Sequence, residues 1–146
     1  MSEKIYDTTV IAKLVRQQLK KELPNCKFSV TSKWFSMGSE ISVSLMAAPF
    51  PVFASDVDCN GNEQEKDYAQ LNHYQLRRAY DYGNPPGVCN GVFLTPRAWE
   101  VLSRAVEIGQ LHNWNNSDIQ TDYFDVNYWF HIDIGKWDKP FQEAQA

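Results

Sequence analysis

Within its first 45 residues the chain changes its hydrophobic period, from one apolar residue every three to four positions to one every second position. That switch requires a helix followed directly by strands. Asp7 or Thr8 offers an N-cap, Val10, Ile11, Leu14, Val15, Leu19 and Leu23 form one stripe, and Lys13, Arg16, Gln17 and Lys20 lie opposite it. Pro24 with Asn25 ends the pattern, because proline cannot continue a helix and disfavours helical backbone in the residue before it. The spacing predicts a helix over residues 8–22. From Lys27 onward Phe28 and Val30 alternate with Ser29 and Thr31, the turn-prone Met37-Gly38-Ser39 follows, and Ile41, Val43 and Leu45 alternate with polar positions. This is the pattern of an antiparallel hairpin with one buried face, ended by Pro49 and Pro51.

Further along, residues 54–66 are strongly polar and read as an exposed excursion, while residues 67–82 suit a helix or, over 70–76, a strand. Cys59-Asn60-Gly61 and Cys89-Asn90-Gly91 share a tripeptide but not their flanks, so each Asn-Gly reads as a turn rather than as part of a repeat. Thr95-Pro96 is a helix start: a hydroxyl to accept a free backbone N–H, then proline where no donor is needed. Trp99, Val101, Leu102, Ala105, Val106 and Ile108 make that helix apolar on most sides and therefore buried, with Gly109 expected as a left-handed stop. Val126, Tyr128, Phe130, Ile132 and Ile134 then alternate with Asn127, Trp129, His131 and Asp133, the clearest strand in the chain. The expected architecture is a single α+β domain over residues 1–146: helix, hairpin, an insertion-like middle at about 46–94, buried helix, and a long strand completing an antiparallel sheet.

A chain of 146 residues, 43% of them hydrophobic, has room for one packed core. No window approaches the roughly 18 consecutive apolar residues of a spanning helix, and the first ten positions show no basic-then-apolar leader. The expectation is a soluble, cytoplasmic protein without membrane contact. Fourteen Lys and Arg against eighteen Asp and Glu give a net charge of −4, which lacks the basic excess of a general duplex binder. The charge is unevenly spread: residues 1–36 carry seven bases against three acids, and residues 81–146 four against nine. Cys26, Cys59 and Cys89 form no CxxC pair, so free thiols are expected rather than a zinc cage or a disulfide framework.

The candidate binding residues lie late in the chain. Residues 112–125 concentrate polar groups between the buried helix and the last strand, and Trp114, Asn116, Asp118, Asp122, Tyr123 and Asp125 stand out there, together with Trp129. Asp118, Asp122 and Asp125 carry the oxygen ligands a hard cation needs, but their spacing fits no calcium loop, and Asn and Asp in such a stretch commonly close turns. No metal or cofactor is therefore expected. His131 and Asp133 share the face opposite the core, with His112 as a third group for acid–base work. GxSxG, HExxH, a Walker loop and the dinucleotide fingerprint are all absent, so the sequence leans against an enzyme and no catalytic residue is assigned. Trp129, with Trp114 and Trp137, offers either an anchor for a protein partner or a stacking platform for single-stranded bases.

Several of these segments resemble the large polyvalent protein-associated domain of type twenty-nine. They are the helix, the Lys27-Phe28-Ser29-Val30 and Gly38-Ser39-Glu40-Ile41-Ser42-Val43-Ser44 strands, and the Asn113-Trp114-Asn115-Asn116-Ser117-Asp118 and Thr121-Asp122-Tyr123-Phe124-Asp125-Val126 runs. Residues 46–94 depart from that pattern. Members occur in large multi-domain proteins of phages and conjugative elements and as small stand-alone proteins of plasmids and prophages, so the resemblance implies a mobile-element setting and brings no catalytic residues with it. The expected function is non-enzymatic binding of a host protein or nucleoprotein, with counter-defence as the biological role and the oligomeric state left open. The alternatives are nucleic-acid binding through Lys13, Arg16, Lys20, Lys21 and Lys27, and a metal-dependent hydrolase or nuclease using the Asp-rich segment with His131.

Overall fold

The computed structural model of the chain describes residues 7–36, 38–83, 86–113 and 128–143. The first helix, α1 (Thr8–Glu22), starts at Asp7, whose carboxylate accepts the Thr9 backbone N–H. Its buried residues are Thr8, Ile11, Ala12, Val15 and Leu19, spaced by three and four. Val10, counted in the stripe by spacing, is 45% exposed, because the contact row runs along 8, 12, 15 and 19 and leaves position 10 on its flank. The hairpin follows as expected. β1 (Lys27–Phe35) and β2 (Gly38–Ala48) pair antiparallel from Lys27 beside Ala47 to Phe35 beside Gly38, so Trp34 and Phe35 extend the first strand to the turn.

The middle of the chain forms short elements. β3 (Ala69–Gln70) is followed by a single helical turn, α2 (His73–Leu76), so residues 67–82 are neither one helix nor a strand over 70–76: the strand covers two residues and the helix one turn. β4 (Val88–Cys89) and β5 (Val92–Phe93) make a small hairpin around the Asn90-Gly91 turn. The Cys59 N–H donates to the Gly91 carbonyl, which brings the two Cys-Asn-Gly tripeptides side by side. Val52, Ala69, Leu76, Cys89, Val92 and Leu94 all enter the same core as the helices and the sheet.

The second long helix, α3 (Pro96–Gln110), begins at Thr95, whose hydroxyl accepts the Ala98 N–H and donates to the Pro51 carbonyl. It does not stop at Gly109. That residue lies inside the helix, and its missing side chain makes room for Phe130, whose ring would sit 2.2 Å from a Cβ there. Arg104 of α3 donates to Glu22 at 2.6 and 2.9 Å and ties the two helices together.

β6 (Trp129–Ile134) corrects the expected sheet. It runs parallel to β2, Glu40 beside Trp129 through Leu45 beside Ile134, and antiparallel to β3. β7 (Gln142–Glu143) also pairs with β2 in parallel. The strand order is β1-β2-β6-β3, and the sheet is mixed rather than antiparallel. The reason is the long connection: α3 packs across the sheet between β2 and β6 and returns the chain to the edge from which β2 started, as parallel neighbours require. Both long helices cover one face. Ile41, Val43 and Leu45 of β2 and Phe130, Ile132 and Ile134 of β6 meet Ile11, Val15, Leu19, Leu102, Ala105 and Val106 there.

Candidate binding face

The register of the sheet sets three rows of side chains on the face turned away from the helices. Lys33, Glu40 and Trp129 form one, Thr31, Ser42 and His131 the next, and Ser29, Ser44, Asp133 and Gln70 the third. Alternation accounts for this, since every second residue of β6 enters the core and the residues between must face outward. Trp129 is 45% exposed and His131 is exposed, as the alternation predicts. The face closes toward the third row, where Ser44 is 4% exposed and Asp133 is half-buried. Phe35 continues it toward the hairpin tip and is also exposed.

The His131 Nε2 lies 3.2 Å from a Glu40 carboxylate oxygen. Ser42 is in register with His131, yet among the described residues no hydroxyl hydrogen bonds to that ring, so the nucleophile and base contact of acyl transfer is missing. His112 is not part of the face. It lines a separate cleft between the helices with Leu14, Val15 and Ile108. Trp114, Asn116, Asp118, Asp122, Tyr123 and Asp125 lie outside the described residues. Among the described residues no three His, Cys, Asp or Glu side chains gather closely enough to hold a metal ion. The three cysteines are unpaired, and burial pushes the thiols of Cys89 and Cys26 up, away from the reactive thiolate form. Lys33, Glu40, Phe35 and the hydroxyl row escaped the sequence reading, although the polar alternation of β1 places Ser29, Thr31, Lys33 and Phe35 on one side.

Burial pushes the Asp133 carboxyl up to about 6, against the opposing pull of His131 and the Leu71 backbone N–H. A carboxyl that binds its proton more tightly in the folded chain contributes most stability below its unfolded pKa of about 3.9 and loses it as pH rises through the folded value. Asp133→Asn, which keeps the shape and removes the charge, is expected to be more stable than the parent by about 1 kcal/mol at neutral pH. Denaturation at about pH 7.5 and about pH 4 checks this: the gain must vanish at the lower pH, and a variant less stable at both refutes the assignment.

A family model described as large polyvalent protein associated domain 29 matches residues 6–93, more than half of the chain. The chain belongs to this family. The large polyvalent protein associated domain 29 match takes in α1, the hairpin and the middle segment 46–93, so that segment does not depart from the family pattern as expected, and the match stops before α3 and β6. Two strands of the outer face, β1 and β2, are thus within the family match, while Trp129, His131 and Asp133 lie beyond it. No curated protein and no solved structure gives a significant match. No helix of the described residues is long and apolar enough to cross a membrane.

Proposed function

We propose that this domain is a non-enzymatic binding module of a mobile genetic element, which engages a host protein or nucleoprotein through the outer face of its sheet and thereby serves counter-defence. The observation that carries the reading is Trp129, a large ring left 45% exposed between charged and hydroxyl side chains on a rigid strand. Aromatic anchors of this kind dominate binding energy in protein interfaces, and the surrounding polar rows supply a rim. The membership in a polyvalent-protein family supports the mobile-element setting.

Capture of host proteins by the tagged domain, with and without nuclease, tests it. A stoichiometric partner that survives nuclease is expected, with Trp129→Ala weakening its retention at least about tenfold and Tyr82→Ala, an exposed ring elsewhere on the molecule, leaving it unchanged. Equal retention by the two variants, or no stoichiometric partner with or without nuclease, would overturn the reading; a partner lost both on nuclease treatment and in Trp129→Ala is the nucleoprotein case.

A further inference from the structure

At the end of the hairpin remote from its tip, four basic side chains from separate parts of the chain line one cleft of about 270 Å³. Arg16 comes from α1, Lys27 from the start of β1, and Lys136 and Lys139 from the turn after β6; Phe28, Ser29, Val30 and Met46 complete the lining. No carboxylate lines it, and among the described residues none of the four cations makes an ion pair, in a chain whose net charge is −4. A local excess of this kind focuses a positive potential that the rest of an acidic molecule does not share.

The Arg16 side chain and the backbone of Lys136 and Lys139 are held in place. Arg16 donates to the Val30 carbonyl at 2.7 Å, which orients the guanidinium and leaves its other N–H groups for a second acceptor. Lys136 and Lys139 are bridge partners, each backbone N–H donating to the other's carbonyl at 2.9 and 3.1 Å. Like charges directly across such a pair repel and lower stability, an arrangement that an anion between them would relieve. At the tip of the same turn Trp137 is 85% exposed, next to Asp138, which is exposed and unpaired among the described residues. An exposed ring on the turn that supplies two of the cleft's cations fits the way single strands are held: cations take the phosphate and a ring takes the base. The volume is below the roughly 300–1,000 Å³ usual for small-molecule pockets.

The geometry points to a single-stranded nucleic-acid site, with a backbone phosphate in the cleft of Arg16, Lys27, Lys136 and Lys139 and a base stacked on Trp137. Arg16 and Lys27 belong to the basic set read from the N-terminal region, whereas Lys13, Lys20 and Lys21 do not line the cleft. Lys20 and Lys21 sit in the last turn of α1, where positive charge favours the helix end in any case. The site is independent of the outer-face reading, because Trp129 lies at the tip end of the same strands.

Fluorescence anisotropy of a labelled oligothymidylate of roughly twelve nucleotides, titrated with the whole chain between about 50 and about 200 mM salt, tests it. Saturable binding that weakens with salt is expected. Lys136→Glu with Lys139→Glu should lower affinity at least about tenfold and flatten the salt slope by roughly 1.4, the value for two phosphate contacts on a single strand. Arg77→Glu with Arg78→Glu makes the same change of net charge outside the cleft and should cost less than about threefold. Trp137→Ala keeps every charge and should lose about tenfold, together with part of the tryptophan quenching on binding. Lys27→Glu, on a different element, should act in the same direction as the lysine pair. Circular dichroism confirms that each variant is folded. Equal losses in the two charge-reversed pairs, no saturable binding by the parent chain, or tight binding of a mononucleotide without binding of the oligonucleotide would each overturn the site.

Discussion

Replacing Gly135 by alanine is expected to remove about 4 kcal/mol of stability, a large share of the roughly 5–15 kcal/mol that holds a domain of this kind together. Two causes add. The residue has φ of +67°, where a side chain costs about 1–2 kcal/mol. A Cβ would also stand 2.0 Å from the Asp67 carbonyl oxygen and 2.8 Å from the Phe141 backbone nitrogen, and those two atoms are themselves hydrogen-bonded at 2.8 Å. Neither neighbour is the far end of a flexible side chain, so relief requires breaking that bond or shifting β6, whose next backbone N–H donates from Gly135 itself to Leu45. Gly61 separates the two causes: its φ is +81° and nothing lies within 4 Å of its added Cβ, so Gly61→Ala should cost only about 1 kcal/mol. Denaturant unfolding of both variants reads the difference, with a lower midpoint and an unchanged slope expected for Gly135→Ala. If it costs no more than Gly61→Ala, the crossing of the three segments is looser than the distances imply. The same variant should displace the Lys136 to Lys139 turn and weaken oligonucleotide binding.

Gly109→Val should cost about 3 kcal/mol, opposite in sign to what helix propensity gives. A glycine inside a helix is ordinarily worse than alanine by about 1 kcal/mol, so substitution there usually helps. Here any Cβ would meet the Phe130 ring at 2.2 and 2.6 Å, and valine adds two methyl groups to the collision. Overfilling a packed core forces off-rotamer side chains or backbone shifts. Phe130 is flanked on β6 by Trp129 and His131, so the strain is transmitted to the outer face. Phe130→Leu should therefore restore part of the loss in the double variant although it destabilises the parent chain, a coupling that thermal unfolding of the four proteins measures. Additive losses would show that Gly109 and Phe130 do not limit each other.

Some of this was legible in the residues alone. The bounds of α1, the Thr95 start of α3, the hairpin and the alternation of β6 follow from capping chemistry and from periods of 3.6 and 2, which are local properties. So does the outward position of Trp129 and His131. Gly109 misled because the same residue serves as a helix stop or as a point of close approach, and only the position of Phe130 distinguishes them. Val10 misled because spacing alone locates a stripe to within one residue on either flank.

The fold class and the face that each strand turns to the core were thus determined by the sequence itself, since both depend on neighbours a few positions apart. The parallel pairing of β2 with β6 was not, because strand direction depends on how α3 carries the chain across the sheet, a long-range packing outcome. The cationic cleft belongs to the same class. Arg16 and Lys27 stand out in a basic N-terminal region, but Lys136 and Lys139 come from the acidic end of the chain and reach them only because β6 docks beside β2 and the turn after Gly135 brings them to the same cleft. Charge read along the sequence separates the two ends by sign, and tertiary structure places four of their cations in one site.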